Sequence, residues 1–256
     1  MNSNTRPNTP EQPIEKKMPF HKYKPFKPIA LADRSWPDQV ISRAPRWCSV
    51  DLRDGNQALI EPMSPVEKQQ MYDLLIDLGF KEIEVGFPAA SQTDFDFVRN
   101  IIEADSIPEG VTIQVLCQAR KELIARTCEA VQGARDVIFH LYNSTSTLQR
   151  KVVFGMSREE IITLATDATA LVKQYTQPLV DAGTNVILEY SPESYTATEM
   201  DFAVDICTAV MEVWQPTEDK KIILNLPSTV EMATPNIYAD QIEYFIRKLP
   251  ERNKAV

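Results

Sequence analysis

The sequence KEIEVGFPAASQTD (81–94) joins a short apolar run to the first residues of a helix. Its first half contains Ile83, Val85 and Phe87 and belongs to a set of mostly apolar, β-rich runs in this chain, as expected for strands that are buried on both faces of a sheet. Ser91 then offers a capping side chain, and Asp94 lies in the first helical turn. This stretch therefore predicts a buried parallel strand that is followed by a helix.

The same strand–helix unit recurs on both sides of this stretch. The strand-like runs are WCSVDL (47–52), KEIEVGF (81–87), VTIQVL (111–116), DVIFHLY (136–142), NVILEY (185–190) and KIILNL (221–226). The helical patterns begin at 64, 91, 121, 157, 198 and 234, and all but the second have clear ends, near 78, 131, 175, 214 and 248. Six units in strict alternation predict a parallel sheet with right-handed crossovers.

Two α/β folds fit this periodicity, a closed (β/α)8 barrel and an open doubly wound sheet. The chain has seven glycines and no glycine-rich loop after its first strand, which favours the barrel. A closed barrel needs eight strands, and residues 254–256 read as the beginning of a seventh. We therefore predict a TIM (β/α)8-type barrel over 45–256, truncated after about six strand–helix units.

Residues 1–44 are rich in Pro, Lys, Asn and Thr and follow no sustained period, so we predict a mostly irregular N-terminal arm. The aromatic residues around Tyr23 give this arm the means to dock on another surface.

Composition excludes several classes of protein. The net charge of −9 disfavours a nucleic-acid partner, which needs a basic face. The longest apolar runs have the length of strands, so no membrane span or membrane partner is expected. The N-terminus lacks a secretory apolar region, and the four cysteines form no C-x-x-C pair. These features predict a cytoplasmic protein with reduced thiols.

Polar residues follow the predicted strands, where parallel α/β folds place their chemistry. Arg53 and Asp54 follow the first strand, and a carboxylate beside a guanidinium stays ionised and suits a hard cation. A structural ion pair at the barrel mouth explains the same two residues equally well. Glu84 lies within an apolar strand, where an unpaired charge is costly, so we expect Arg53 to be its partner.

Four further residues carry weaker signals from spacing alone. A lone histidine such as His140, between apolar strand neighbours, is more often a hydrogen-bonded core residue than a metal ligand. Glu193 reads as a solvated loop carboxylate, while Ser191 and Thr229 read as turn or cap residues.

DLRDGNQ (51–57) resembles the first-strand signature of the acyl-CoA-condensing synthase and lyase barrels, and EIEVGFP (82–88) resembles their second-strand motif. Four longer strings resemble the long-type α-isopropylmalate synthases, with their pyruvate carboxyltransferase-like catalytic domain. They are GFPAASQTDFDF (86–97), FHLYNSTSTLQR (139–150), EYSPESY (189–195) and NLPSTVEMATP (225–235). The likeness runs from about residue 20 to the end.

The resemblance implies roles that spacing alone does not give. It implies that Asp54 ligates a divalent metal ion (Mg2+, Mn2+ or Zn2+) and that Arg53 lies against the keto oxygen of 2-oxoisovalerate. Gln57 is implied to lie near the metal and the acetyl group, and Leu116 to line the pocket for the branched side chain. The residues implied to bind the 2-oxo acid or support the metal site are His140, Ser191, Glu193 and Thr229.

The implied reaction is a Claisen-type condensation of the co-substrate acetyl-CoA with 2-oxoisovalerate, in leucine biosynthesis. The resemblance implies that the full-length protein is a homodimer and that its catalytic residues include Arg53, Glu193 and Gln57. The family's remaining metal ligands form a His-x-His pair, but this sequence has only His21 and His140. We therefore expect the complete protein to be a synthase and these 256 residues alone to be inactive. The alternatives are a homocitrate or citramalate synthase, or a non-catalytic or split-gene subunit that a second chain completes.

Overall fold

The structure is a computed structural model that describes residues 18–256. Expectations for residues 1–17 lie outside the described residues. Six parallel strands form one sheet, and each strand pairs with its neighbours in sequence order. The strands are β1 (Cys48–Ser49), β2 (Glu82–Gly86), β3 (Thr112–Gln118), β4 (Asp136–Ser144), β5 (Asn185–Glu193) and β6 (Ile223–Leu224).

Helices connect the strands and pack on the sheet and on one another. They are α1 (Pro65–Asp77), α2 (Gln92–Glu103), α3 (Lys121–Ala130), the single turn α4 (Thr147–Gln149), α5 (Arg158–Asp181), α6 (Met200–Trp214) and α7 (Pro235–Lys248). Ser64 and Ser157 form complete capping boxes at the starts of α1 and α5, as their sequences predict. No helix within residues 18–256 is both long and apolar enough to cross a membrane.

The strand order distinguishes between the two predicted folds. A doubly wound sheet reverses its strand order at a switch point, whereas this sheet runs from β1 to β6 without a reversal. The prediction of a TIM-type barrel is therefore confirmed, and six of its strands are present in the described residues. Residues 254–256 also behave as predicted, because Ala255 pairs in parallel with Ile222 and Val256 N donates to Ile222 O at 2.9 Å.

Strands β3, β4 and β5 extend two or three residues past their predicted ends, and the largest departures from the predicted bounds are in β1, β6 and α5. The first strand was expected over 47–52, but its pairing ends at Ser49 and Asp51–Gly55 forms a π-helical turn. The turn forms because the carbonyl of Val50 accepts N–H groups from 53, 54 and 55. The sixth strand was expected over 221–226 and is two residues long. Helix α5 continues past its expected end near 175, because Leu179 remains buried and offsets the hydrogen bond that Pro178 lacks.

The described part of the arm is irregular apart from two short 3-10 turns, Phe20–Lys22 and Trp36–Asp38. It docks on α7 through polar contacts. Arg34 donates two hydrogen bonds to Asp240, at 2.8 and 2.9 Å, and the Trp36 indole donates to the same carboxylate. The division into a 1–44 arm and a 45–256 barrel remains a prediction.

Arg150 ties the segment after β4 to the start of α6. Its guanidinium donates to both carboxylate oxygens of Glu199, each at 2.7 Å, and to the carbonyl of Thr145 at 2.6 Å. The same guanidinium lies over the ring of Phe202. The hydrogen bond from Arg150 lowers the pKa of Glu199 to about 2.

This pair predicts a pH-dependent contribution to stability. Since the pKa of Glu199 is lowered, the contribution is complete above the ordinary pKa of 4.5 and is lost as the pH falls towards 2. Glu199→Gln should lower the free energy of unfolding by about 1 kcal/mol at pH 7, since the carboxylate is partly exposed. The deficit should shrink as the pH falls from 4.5 towards about 2 in denaturant titrations. The exposed Glu129→Gln should show no such trend, and a deficit that stays constant with pH would refute the assignment.

Candidate active site

A cavity of about 500 Å³ opens where the strands end and their loops begin. Every residue that the sequence analysis singled out as a site residue lines it. These residues are Arg53, Asp54, Gln57, Leu116, His140, Ser191, Glu193 and Thr229. Five others complete the wall: Phe87, Tyr142, Asn225, Pro227 and Ser228.

Strand register explains how residues so distant in sequence meet. In a parallel sheet, paired residues point to the same face. Leu116 pairs with His140, Tyr142 pairs with Ser191, and Ser144 pairs with Glu193. These pairs form successive rows across β3, β4 and β5, so their side chains reach one cavity.

Arg53 projects from the π-helical turn after β1. Its Nη1 lies 2.9 Å from Asp54 Oδ1, and its Nε donates to Glu84 Oε1. The expected partnership of Glu84 with Arg53 is therefore confirmed. Within residues 18–256, Arg53 Nη2 makes no hydrogen bond to protein, which leaves both of its N–H groups for a ligand.

His140, in the cavity wall, lies between two carboxylates. Its Nδ1 donates to Glu84 Oε2 at 2.5 Å, and Glu189 Oε1 lies 3.4 Å from its Nε2. Burial alone would lower the pKa of His140, but the charges of Glu189 and Glu84 outweigh burial and raise it. Burial would likewise raise the pKa of Glu84, but His140 and Arg53 lower it. The imidazolium form of His140 is therefore favoured.

This charge state orients Ser191. The Oγ of Ser191 accepts from His140 Nε2 at 2.7 Å and from the side-chain amide of Asn225 at 2.8 Å. With both acceptor positions occupied, the hydroxyl proton of Ser191 is free to point to a ligand in the cavity.

Glu193 is the last residue of β5, and Thr229 lies in the loop after β6. Ser144 Oγ donates to Glu193 Oε2, and the backbone N–H of Thr145 donates to the carbonyl of Glu193 at 3.0 Å. Thr229 Oγ1 accepts the N–H of Ser194, a residue in the left-handed region with φ 62°. Glu193 is thus held by the end of β4 and is not the freely solvated carboxylate that spacing alone favoured.

No site role followed from sequence alone for the other lining residues. Alternation along β4 could have identified Tyr142, since it lies two positions after His140 on the same face. Phe87 gave no polar signal, and it lies in the cavity wall because of its position after β2. Asn225 was visible as a polar residue at a strand end, but its contact with Ser191 required the fold.

The described residues test how far the chain can hold a metal ion. Asp54 is an exposed carboxylate, but residues 18–256 contain no group of three or more His, Cys, Asp or Glu able to bind one. A stable site needs several protein ligands. The described residues alone therefore do not fit a complete metal site.

A family model described as HMGL-like matches residues 44–256. The 2-isopropylmalate synthase of Parafrankia sp. (strain EAN1pec) is 58% identical over 248 residues, which are 97% of this chain and 43% of that protein. That of Rhodospirillum rubrum is 59% identical over 238 residues, covering 93% of this chain and 42% of that protein. The chain thus spans less than half the length of these curated relatives.

Two solved structures share the fold. The HMG-CoA lyases of Bacillus subtilis and Brucella melitensis each align with a TM-score of 0.55 and 16% sequence identity. The chain covers 66% and 68% of those proteins, respectively. At this identity the likeness extends to the barrel fold alone.

Proposed function

The chain belongs to the HMGL-like family, and from this premise we propose that it forms part of the catalytic barrel of a 2-isopropylmalate synthase. That enzyme would condense acetyl-CoA with 2-oxoisovalerate in leucine biosynthesis. The observation that carries the proposal is the cavity, which gathers all eight residues implied by the resemblance. High identity to curated synthases over most of the chain supports the same activity.

The proposed chemistry begins at the ketone. The guanidinium of Arg53 stabilises the negative charge that develops on the keto oxygen. Ser191, oriented by His140 and Asn225, donates to the bound 2-oxo acid, and Thr229 binds it from the β6 side. Leu116 contacts its branched side chain.

The second substrate, acetyl-CoA, loses a methyl proton to a base, and the resulting carbanion equivalent forms the new C–C bond at the ketone carbon. The keto oxygen takes up a proton, and water then cleaves the thioester to release CoA and 2-isopropylmalate. Glu193 and Gln57 are the side chains that we place beside the acetyl group, and a hydrogen bond from Ser144 holds Glu193 in position.

A divalent metal ion would supply Lewis acidity at the ketone, with Asp54 as one ligand. Since the described residues do not complete such a site, we expect residues 1–256 expressed alone to be inactive. We further propose that the complete protein is a cytoplasmic homodimer.

The experiment that tests the proposal is an assay of the complete protein with acetyl-CoA and one of three 2-oxo acids. We expect the highest kcat/KM with 2-oxoisovalerate. A preference for 2-oxoglutarate or pyruvate would instead support a homocitrate or citramalate synthase. The absence of thioester consumption with all three would favour a non-catalytic subunit.

Leu116 offers a test of the substrate pocket. Leu116→Ala should lower kcat/KM for 2-oxoisovalerate about tenfold, because the pocket loses apolar contact with the branched side chain. The value for pyruvate, which lacks that branch, should change less. Steady-state kinetics on the complete protein would measure both, with the exposed Leu78→Ala as a control. Equal losses for the two substrates would place Leu116 outside the side-chain pocket.

A further inference from the structure

Lys68 is a fully buried lysine that the proposed chemistry does not use. It projects from α1, and its Nζ lies 2.6 Å from Asp94 Oδ1 on α2 and 5.1 Å from the ring centre of Phe97. A buried ammonium is costly unless it is paired. The Lys68–Asp94 pair therefore holds the carboxylate of Asp94 in one place.

The second oxygen of Asp94 serves the loop after β2. Asp94 Oδ2 accepts the backbone N–H of Phe87 at 2.8 Å. Gly86 makes room for this approach, because a Cβ atom at residue 86 would lie 3.1 Å from both Cγ and Oδ2 of Asp94. The hydrogen bond between Phe87 and Asp94, the absence of a side chain at Gly86 and the Lys68–Asp94 salt bridge thus determine where the chain leaves β2.

Strand β2 contains an irregularity at the same place. Glu84 pairs with Gln114 and Gly86 pairs with Val115, so Val85 is an extra residue on β2. Bulges of this kind redirect the following side chain and are common beside active sites. Here the following side chain is Phe87.

Phe87 forms the apolar wall of the cavity together with Tyr142 and Leu116. Its ring meets that of Tyr142 edge to face, with centroids 6.3 Å apart. This wall lies in the same cavity as the polar group of Arg53 and Ser191. A 2-oxo acid whose polar end meets Arg53 would therefore direct its aliphatic chain to the aromatic pair.

We infer that Phe87 determines which 2-oxo acid side chain the cavity accepts, and that Asp94, held by Lys68, is the positioning residue that aims Phe87. This inference rests on the proposed function. It assigns the buried Lys68–Asp94 salt bridge a role in substrate choice. The bridge fixes the position of Phe87, and Phe87 limits how deep the cavity is on its apolar side.

The test uses the complete protein and three variants, Phe87→Leu, Asp94→Asn and the control Phe80→Leu. Phe80 is partly buried in the apolar cluster of β2 and lies outside the cavity. The measured quantity is the ratio of kcat/KM for 2-oxoisovalerate to that for the longer 2-oxohexanoate. Phe87→Leu should lower this ratio about tenfold, because a shorter side chain deepens the pocket. Asp94→Asn should lower it about threefold, while the control should leave it unchanged.

An unchanged ratio in Phe87→Leu would overturn the inference, and a change there without one in Asp94→Asn would overturn the role of Asp94. If Asp94→Asn does not fold, Gly86→Ala displaces the carboxylate and should lower the ratio in the same direction. Calorimetric titration of both 2-oxo acids gives the same comparison without turnover. A wild-type protein that neither binds nor converts any 2-oxo acid would refute the proposed function and this inference together. Normal turnover by the wild type, with the same kcat/KM ratio in the variants, would refute the inference alone.

Discussion

Replacing Arg53 by lysine in the complete protein is expected to lower kcat by about 10²- to 10³-fold, the loss typical of one donor to a developing oxyanion. The guanidinium contacts Glu84 through Nε and Asp54 through Nη1, and Nη2 remains for a ligand. An ammonium group cannot span these three directions, because all its donors are on one nitrogen.

Steady-state kinetics with 2-oxoisovalerate would measure this loss. Arg99→Lys is the matched control, since Arg99 pairs with the exposed Glu103 on α2 and does not line the cavity. The control should keep its activity. An Arg53→Lys enzyme with kcat within about tenfold of the wild type would show that this guanidinium does not stabilise the transition state.

Glu84→Gln is expected to lower the free energy of unfolding by about 3–5 kcal/mol, as for other buried charge networks that lose one partner. The carboxylate of Glu84 is fully buried and accepts hydrogen bonds from Arg53, Gln114 and His140. The glutamine side chain has an NH2 group in place of one carboxylate oxygen, so at least one of these three donors would lose its acceptor. Without the negative charge of Glu84, the raised pKa of His140 should also fall.

Chemical denaturation of the complete protein at pH 7 would measure the change. Glu103→Gln, in an exposed pair with Arg99, should cost less than about 1 kcal/mol. A loss for Glu84→Gln no larger than that of this control would mean that the buried network contributes little to stability.

Local chemistry in the sequence was enough to predict the strand–helix alternation. The capping residues Ser64 and Ser157 begin their helices as expected, because a cap acts through neighbouring backbone N–H groups. The π-helical turn at Asp51–Gly55 was not predictable, since it depends on three N–H groups converging on the carbonyl of Val50. The length of α5 depends on tertiary burial of Leu179, which periodicity does not report.

The site residues likewise differ in whether local sequence was enough to identify them. Arg53 and Asp54 carried a signal of their own, because an acid and a base side by side after a strand are chemically conspicuous. His140 and Glu193 gained weight only from the family resemblance, since their significance lies in contacts with Glu84 and Ser144 on other strands. Phe87 was missed because an aromatic residue after a strand resembles ordinary packing.

The central claim is that the cavity at the strand ends binds the 2-oxo acid with its ketone at Arg53. A crystal structure of the complete protein with 2-oxoisovalerate and a divalent metal ion tests it most directly. We predict the keto oxygen within about 3 Å of Arg53 Nη2 and the branched end against Leu116 and Phe87. A 2-oxo acid bound elsewhere, with only water beside Arg53, would contradict the account.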